Sequence, residues 1–142
     1  MKLYLIFTKK GLAVILALTI LALIIIGQFS SVNKVYADGF THRERMEFLS
    51  YCKITVNENA VAVKQTRLPQ KLSGYFNEYN KMLQKGGFEL SNFCGKEVTV
   101  YSYTLTEAPE KTANLIILNG KIIAGYINDN LNGNITPILK DK

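Results

Sequence analysis

Seventeen consecutive residues near the amino terminus, GLAVILALTILALIIIG over 11–27, carry no charge, and Thr19 is the only clearly polar one. Nothing else constrains the chain so strongly. A helix of that length rises about 25 Å, close to the roughly 30 Å of a hydrocarbon core, and Gln28 and Phe29 extend it into the interface. Lys9 and Lys10 stand just before it, and basic residues stay on the cytoplasmic side. Four segments follow: a cytoplasmic stretch over 1–10, a transmembrane anchor over 11–29, a stalk over 30–40, and a domain outside the membrane over 41–142. The rival reading is a secretory signal, with Val35-Tyr36-Ala37 as the processing site and Asp38 as the first mature residue. A signal core usually runs about 7–15 apolar residues, so the longer run here favours a single-pass anchor over a secreted form. Both readings put the carboxy-terminal domain outside the cytoplasm.

Charge agrees with that division. The protein has 142 residues and a formal net charge of +6. Residues 1–37 hold Lys2, Lys9, Lys10 and Lys34 and no acid, whereas 38–142 hold 13 basic against 11 acidic residues. The domain lacks the dense basic face that a nucleic-acid partner requires. A hydrophobic content of 48% excludes intrinsic disorder. About 100 residues outside the membrane are enough for one core.

Within the domain, Thr41-His42-Arg43-Glu44 has the spacing of a capping box and predicts a helix to about Ser50, with Met46, Phe48 and Leu49 as its buried stripe. Residues 53–57 and 60–68 alternate, through Ile54 and Val56 and then Val61 and Val63, and predict two strands. Leu72, Tyr75, Phe76, Tyr79, Met82 and Leu83 recur at helical spacing. They predict a second helix that opens at Pro69, is weakened at Gly74 and stops at Gly86-Gly87. EVTVYSYTL over 97–105 has strong strand composition. The apolar runs 113–118 and 121–127 flank Asn119-Gly120, the signature of a tight hairpin. Asn132-Gly133 marks another turn, before a short edge strand over 135–139. The expected fold is α+β in two layers, with two helices packed on an antiparallel sheet in the order α-β-β-α-β-β-β, preceded by the transmembrane or signal helix.

From Arg43 onward the sequence resembles a bacterial extracytoplasmic family known as domain of unknown function 4830. The residues that carry the resemblance are Arg45 with Phe48-Leu49, Leu68-Pro69, Tyr79-Asn80 with Gln84-Lys85, and Gly87-Phe88-Glu89-Leu90-Ser91. Gly95-Lys96, Tyr101-Ser102-Tyr103, Asn114-Leu115 and Gly125 continue it. The resemblance implies one membrane segment, one outer domain and no assigned reaction. Cys52 stands where the family pattern has glycine, Cys94 where it has a lysine or polar residue, and Tyr126 where it has an acid.

No combination of side chains points to catalysis, a cofactor or a metal. His42 is the only histidine, and a zinc site needs three or four ligands at recognisable spacing. On a continuous helix, ten residues would set Cys52 roughly 15 Å along the axis from His42, out of reach for a nucleophilic pair. Glu44 with Glu47 and Glu107 with Glu110 are neighbours on one surface rather than carboxyls facing across a cleft. No G-x-S-x-G, phosphate loop or dinucleotide fingerprint occurs. Cys52 and Cys94 lie on the oxidising side, and a disulfide between them is one reading; two separate thiols is the other. The binding feature is aromatic. Tyr101 and Tyr103 share a strand face, with Tyr75 and Tyr79 on the second helix. If Val98 and Val100 face the helices, the strand tyrosines form an exposed row suited to stacking sugars or docking a peptide; otherwise they pack. The expectation is a membrane-tethered, non-enzymatic module that binds an envelope protein or glycan. The alternative is a small inhibitor or enzyme released after Ala37.

Overall fold

A computed structural model describes residues 36–59 and 62–138; the apolar run over 11–29 lies outside them. Among the described residues no helix is long and apolar enough to cross a membrane. Residues from Tyr36 onward form one compact unit. Its elements are α1 (His42–Tyr51), β1 (Ala62–Arg67), α2 (Tyr75–Lys85), a 3₁₀ turn (Ser91–Phe93), β2 (Glu97–Thr104), β3 (Lys111–Leu118), β4 (Lys121–Asp129) and β5 (Ile135–Pro137). The five strands are antiparallel and lie in the order β1-β2-β3-β4-β5. The fold is therefore α+β, as the periodicities predict.

The capping box forms as the sequence demands. Glu44 N–H donates to Thr41 Oγ1 at 3.2 Å, and Thr41 N–H donates to Glu44 Oε2 at 2.8 Å, satisfying two amides that a helix start leaves orphaned. The β3–β4 turn also forms, with Asn119 at φ 49° and Gly120 at φ 77°. Those left-handed values give the turn the twist that matches the strands it joins. A bulge then shifts the register, so that Ile116 faces Ala124 while Ile117 faces Ile122. Ile122, Ile123 and Ala124 are all buried beside Leu115, Ile116 and Ile117, and with Leu83, Phe88, Leu90 and Ile138 they form the centre of the core.

Three expectations are corrected. Residues 53–57 are not a strand: Lys53 turns at φ 58°, and only Val56 bridges, to Leu105 at the end of β2. The second helix starts at Tyr75 rather than Pro69, because Gly74 at φ 53° breaks the path and the Pro69 carbonyl is taken by Gly95 N–H. Of the expected stalk over 30–40, residues 36–40 belong to the folded unit, and the rest lies outside the described residues. Ala37 carbonyl accepts from Ile122 N–H, Gly39 N–H donates to Gly120 carbonyl, and Asp38 pairs with Lys121, so residues 36–40 form a strap along the free end of β4.

Candidate functional site

The least expected feature of the domain is a charge in its interior. Arg45 lies on the inner face of α1, one turn before Phe48 and Leu49, and is 6% exposed. Its Nε donates to Tyr103 Oη at 2.7 Å, and its Nη1 donates to the carbonyls of Gly39 and Phe40, both at 2.8 Å. Its guanidinium sits 3.8 Å over the centroid of the Tyr101 ring. All four partners are neutral, and among the described residues no carboxylate pairs with it. A buried cation is tolerated when its donors are satisfied, and a planar fork over an aromatic face does this better than an ammonium would.

The strap therefore closes over Arg45, and Gly39 has to be glycine for a steric reason. A Cβ there would come within 2.5 Å of Ile122 Cγ1 and 2.8 Å of Ile117 Cδ1. Beside the strap the sheet face opens into a cleft of about 710 Å³, lined by Phe40, Gln65, Arg67, Glu97, Thr99 and Tyr101 together with the hairpin tip at Asn119-Gly120. Phe40 stands 78% exposed. Glu97 is the only carboxylate in the lining, and Arg67 holds it at 2.5 Å. β1 forms the open rim, with every residue exposed.

The four tyrosines do not come together. Tyr103 is fully buried under α1, so an exposed row of strand tyrosines is ruled out. The physical reason is that α1 covers the tyrosine face through Arg45, while Val98 on the other face is buried too. Tyr101 is half-buried and lines the cleft. Tyr75 and Tyr79 belong to a separate cluster. Tyr75 stacks on Tyr79, and Tyr79 meets the edge of Tyr126 on β4. Burial raises the pKa of Tyr79, and the nearby Tyr126 phenol raises it further. Burial likewise raises Tyr126, against a hydrogen bond from Tyr79.

Cys52 and Cys94 are half-buried thiols with no disulfide between them. Cys52 caps α1 shortly before Thr55, which is tied to Thr106 beyond the end of β2. Cys94 precedes Lys96, which is tied to Leu68 at the start of β2. Those anchor points are separated by the length of an eight-residue strand, about 26 Å, against a Cα separation of roughly 4.4–6.8 Å in a disulfide. His42 is exposed in the first turn of α1, with its ring against Tyr103. Among the described residues no three His, Cys, Asp or Glu side chains cluster.

Sequence reasoning missed Arg45, Phe40 and Gln65. Arg45 had left one signal: a charged residue three and four positions before Phe48 and Leu49 falls on the apolar stripe. The other two come from segments whose sequence reads as stalk and strand.

A second polar network explains the Gly87-Phe88-Glu89-Leu90-Ser91 stretch and the Tyr79-Asn80 pair before it. Glu89 accepts from Asn80 Nδ2 at 2.6 Å, Gln84 Nε2 at 2.5 Å, Ser91 Oγ at 2.6 Å and Ser91 N–H at 3.2 Å. Asn80, itself buried, also accepts from Leu90 N–H at 2.7 Å. Burial alone would raise the Glu89 carboxyl, but these donors outweigh it and hold the pKa at about 2. The network clasps the end of α2 to the chain that turns back from it, a structural role.

No curated protein and no solved structure matches the chain. A family model described as "Domain of unknown function (DUF4830)" matches residues 48–127, a span that includes the Glu89 clasp and the cleft residues of β1 and β2 but begins after the strap and Arg45. With more than half of its length matched, the chain belongs to the DUF4830 family.

Proposed function

We propose that this protein is a membrane-tethered, non-enzymatic module whose domain stands outside the cytoplasm and binds a ligand in the cleft beside the strap. The cleft carries this reading. It is lined by amide, hydroxyl and guanidinium groups around one exposed aromatic ring, a set that suits hydrogen bonding and stacking. The lining offers no histidine, cysteine, serine or lysine, and its single carboxylate is engaged by Arg67. The uncharged run over 11–27 behind Lys9 and Lys10 supports the tether and its orientation. Anchoring rather than release is supported by the strap. Cleavage before Asp38 would detach Tyr36, whose ring meets Phe93 at 5.4 Å, and the Ala37 carbonyl bonded to Ile122.

Two measurements on the full chain in intact cells test this. An amine reagent confined to the medium is expected to label Lys64, which is exposed on β1; labelling only after lysis overturns the orientation. A photocrosslinker at Phe40 or Gln65 is expected to capture a ligand or partner that the same probe at Leu131, exposed on a distant turn, does not capture. Identical products from all three positions overturn the cleft as the binding site.

A further inference from the structure

We infer that the cleft selects a carboxylate-bearing saccharide over its neutral counterpart, with Arg45 as the buried cation behind that choice. The inference rests on the binding reading above and adds the charge class of the ligand. Three of the four groups that touch the Arg45 guanidinium, namely the Gly39 carbonyl, the Phe40 carbonyl and the Tyr101 ring, belong to residues that line the cleft. The cation therefore lies one ring or one peptide group behind the cleft surface. Its charge is screened neither by water, at 6% exposure, nor by an acid. Of the other charges nearby, Arg67 pairs with Glu97 and Lys121 with Asp38, while the Glu44 carboxylate is turned to the Thr41 N–H. One positive charge in a low-dielectric wall remains, and a nearby carboxylate gains from it.

The lining argues for a saccharide rather than a peptide. Gln65 and Thr99, paired directly across β1 and β2, and Asn119 at the hairpin tip offer side-chain amides and a hydroxyl that match the hydroxyls of a sugar ring. Phe40 supplies the flat apolar face on which a sugar stacks. The apolar pockets that fix alternate side chains of an extended peptide are missing from this lining, where only Phe40, Val98, Tyr101 and Ile117 carry large apolar groups.

The test is titration of the full chain in detergent micelles with trigalacturonate and with its fully methyl-esterified form, which keeps the shape and removes the charge. The carboxylate form is expected to bind about tenfold more tightly, and the preference is expected to shrink as salt is raised. Gln65→Glu adds an isosteric negative charge on an exposed edge residue and is expected to abolish the preference without unfolding the protein. Phe40→Ala is expected to weaken both forms alike by several-fold. Equal binding of acid and ester overturns the charge selection while leaving the binding reading intact. Failure of both saccharides, with binding of a poly-glutamate peptide instead, overturns the saccharide assignment. Binding unaffected by both Phe40→Ala and Gln65→Glu overturns the placement in the cleft.

Discussion

Removing the Arg45 side chain tests the idea that a buried cation with only neutral partners holds the strap and α1 on the sheet. Arg45→Ala deletes three hydrogen bonds, of which those to Tyr103 and Gly39 are buried. At about 1 kcal/mol net for each bond, with about 1 kcal/mol for the contact with Tyr101, the loss is about 4 kcal/mol. No opposite charge is stranded, so the penalty stays below that of breaking a deeply buried ion pair. A domain of this size has a total stability of about 5–15 kcal/mol, so the variant is expected to be folded but fragile. The protein contains no tryptophan and eight tyrosines, which makes tyrosine fluorescence the natural probe of a urea titration in detergent micelles. With a urea dependence of about 1.5 kcal/mol per molar, the midpoint falls by about 3 M. Tyr103→Phe removes one partner only and is expected to lower it by about 1 M. The two changes are expected to be non-additive, because they share a bond. Midpoints within 0.5 M of the parent for both variants, on the order of 1 kcal/mol or less, would refute the reasoning.

Three further outcomes follow from the geometry. The Glu89 carboxyl, held at about 2 against an ordinary 4.5, contributes stability above its unfolded value that is lost as pH falls from about 4.5 toward 2; Glu89→Gln is expected to cost about 1–2 kcal/mol at neutral pH and to flatten that acid limb in thermal melts. Gly39→Ala drives a methyl group into Ile122 and Ile117, so a fall of several degrees in melting temperature is expected, with faster hydrogen exchange at Gly39 and Ile122 N–H. Tyr79 and Tyr126, both with raised pKa values, are expected to ionise after the exposed tyrosines in an alkaline absorbance titration. Because their neutral forms are favoured by folding, the stability they contribute is present below about pH 10 and is lost as pH rises above it.

Local chemistry was legible wherever it is settled between near neighbours. Thr41 and Glu44 sit three residues apart and cap a helix whatever lies above it. Asn119-Gly120 turns tightly because both residues accept left-handed φ values. Antiparallel pairing of β2, β3, β4 and β5 follows from short connections that the chain has no length to avoid. The same locality explains the errors. Residues 53–57 alternate like a strand, but a strand needs a partner along its length, and here pairing stops at a single bridge, Val56 to Leu105, held by the flanking bonds of Thr55 and Asn57. Pro69 is suited to a helix start, yet its carbonyl is drawn to Gly95 across the chain.

The amino-acid sequence by itself determines the uncharged leading run, the α+β class, the hairpin and the family, because each is written in composition or in spacings of a few residues. Only the tertiary structure decides which side of β2 faces α1, and with it whether Tyr103 is surface or core. It is also the tertiary structure that carries the strap across β4, closes Arg45 behind two of its carbonyls and leaves a cleft at its side. Those choices depend on contacts between residues 58 and 83 positions apart, where no local rule of spacing reaches and the free energy of burial and hydrogen bonding selects the partner.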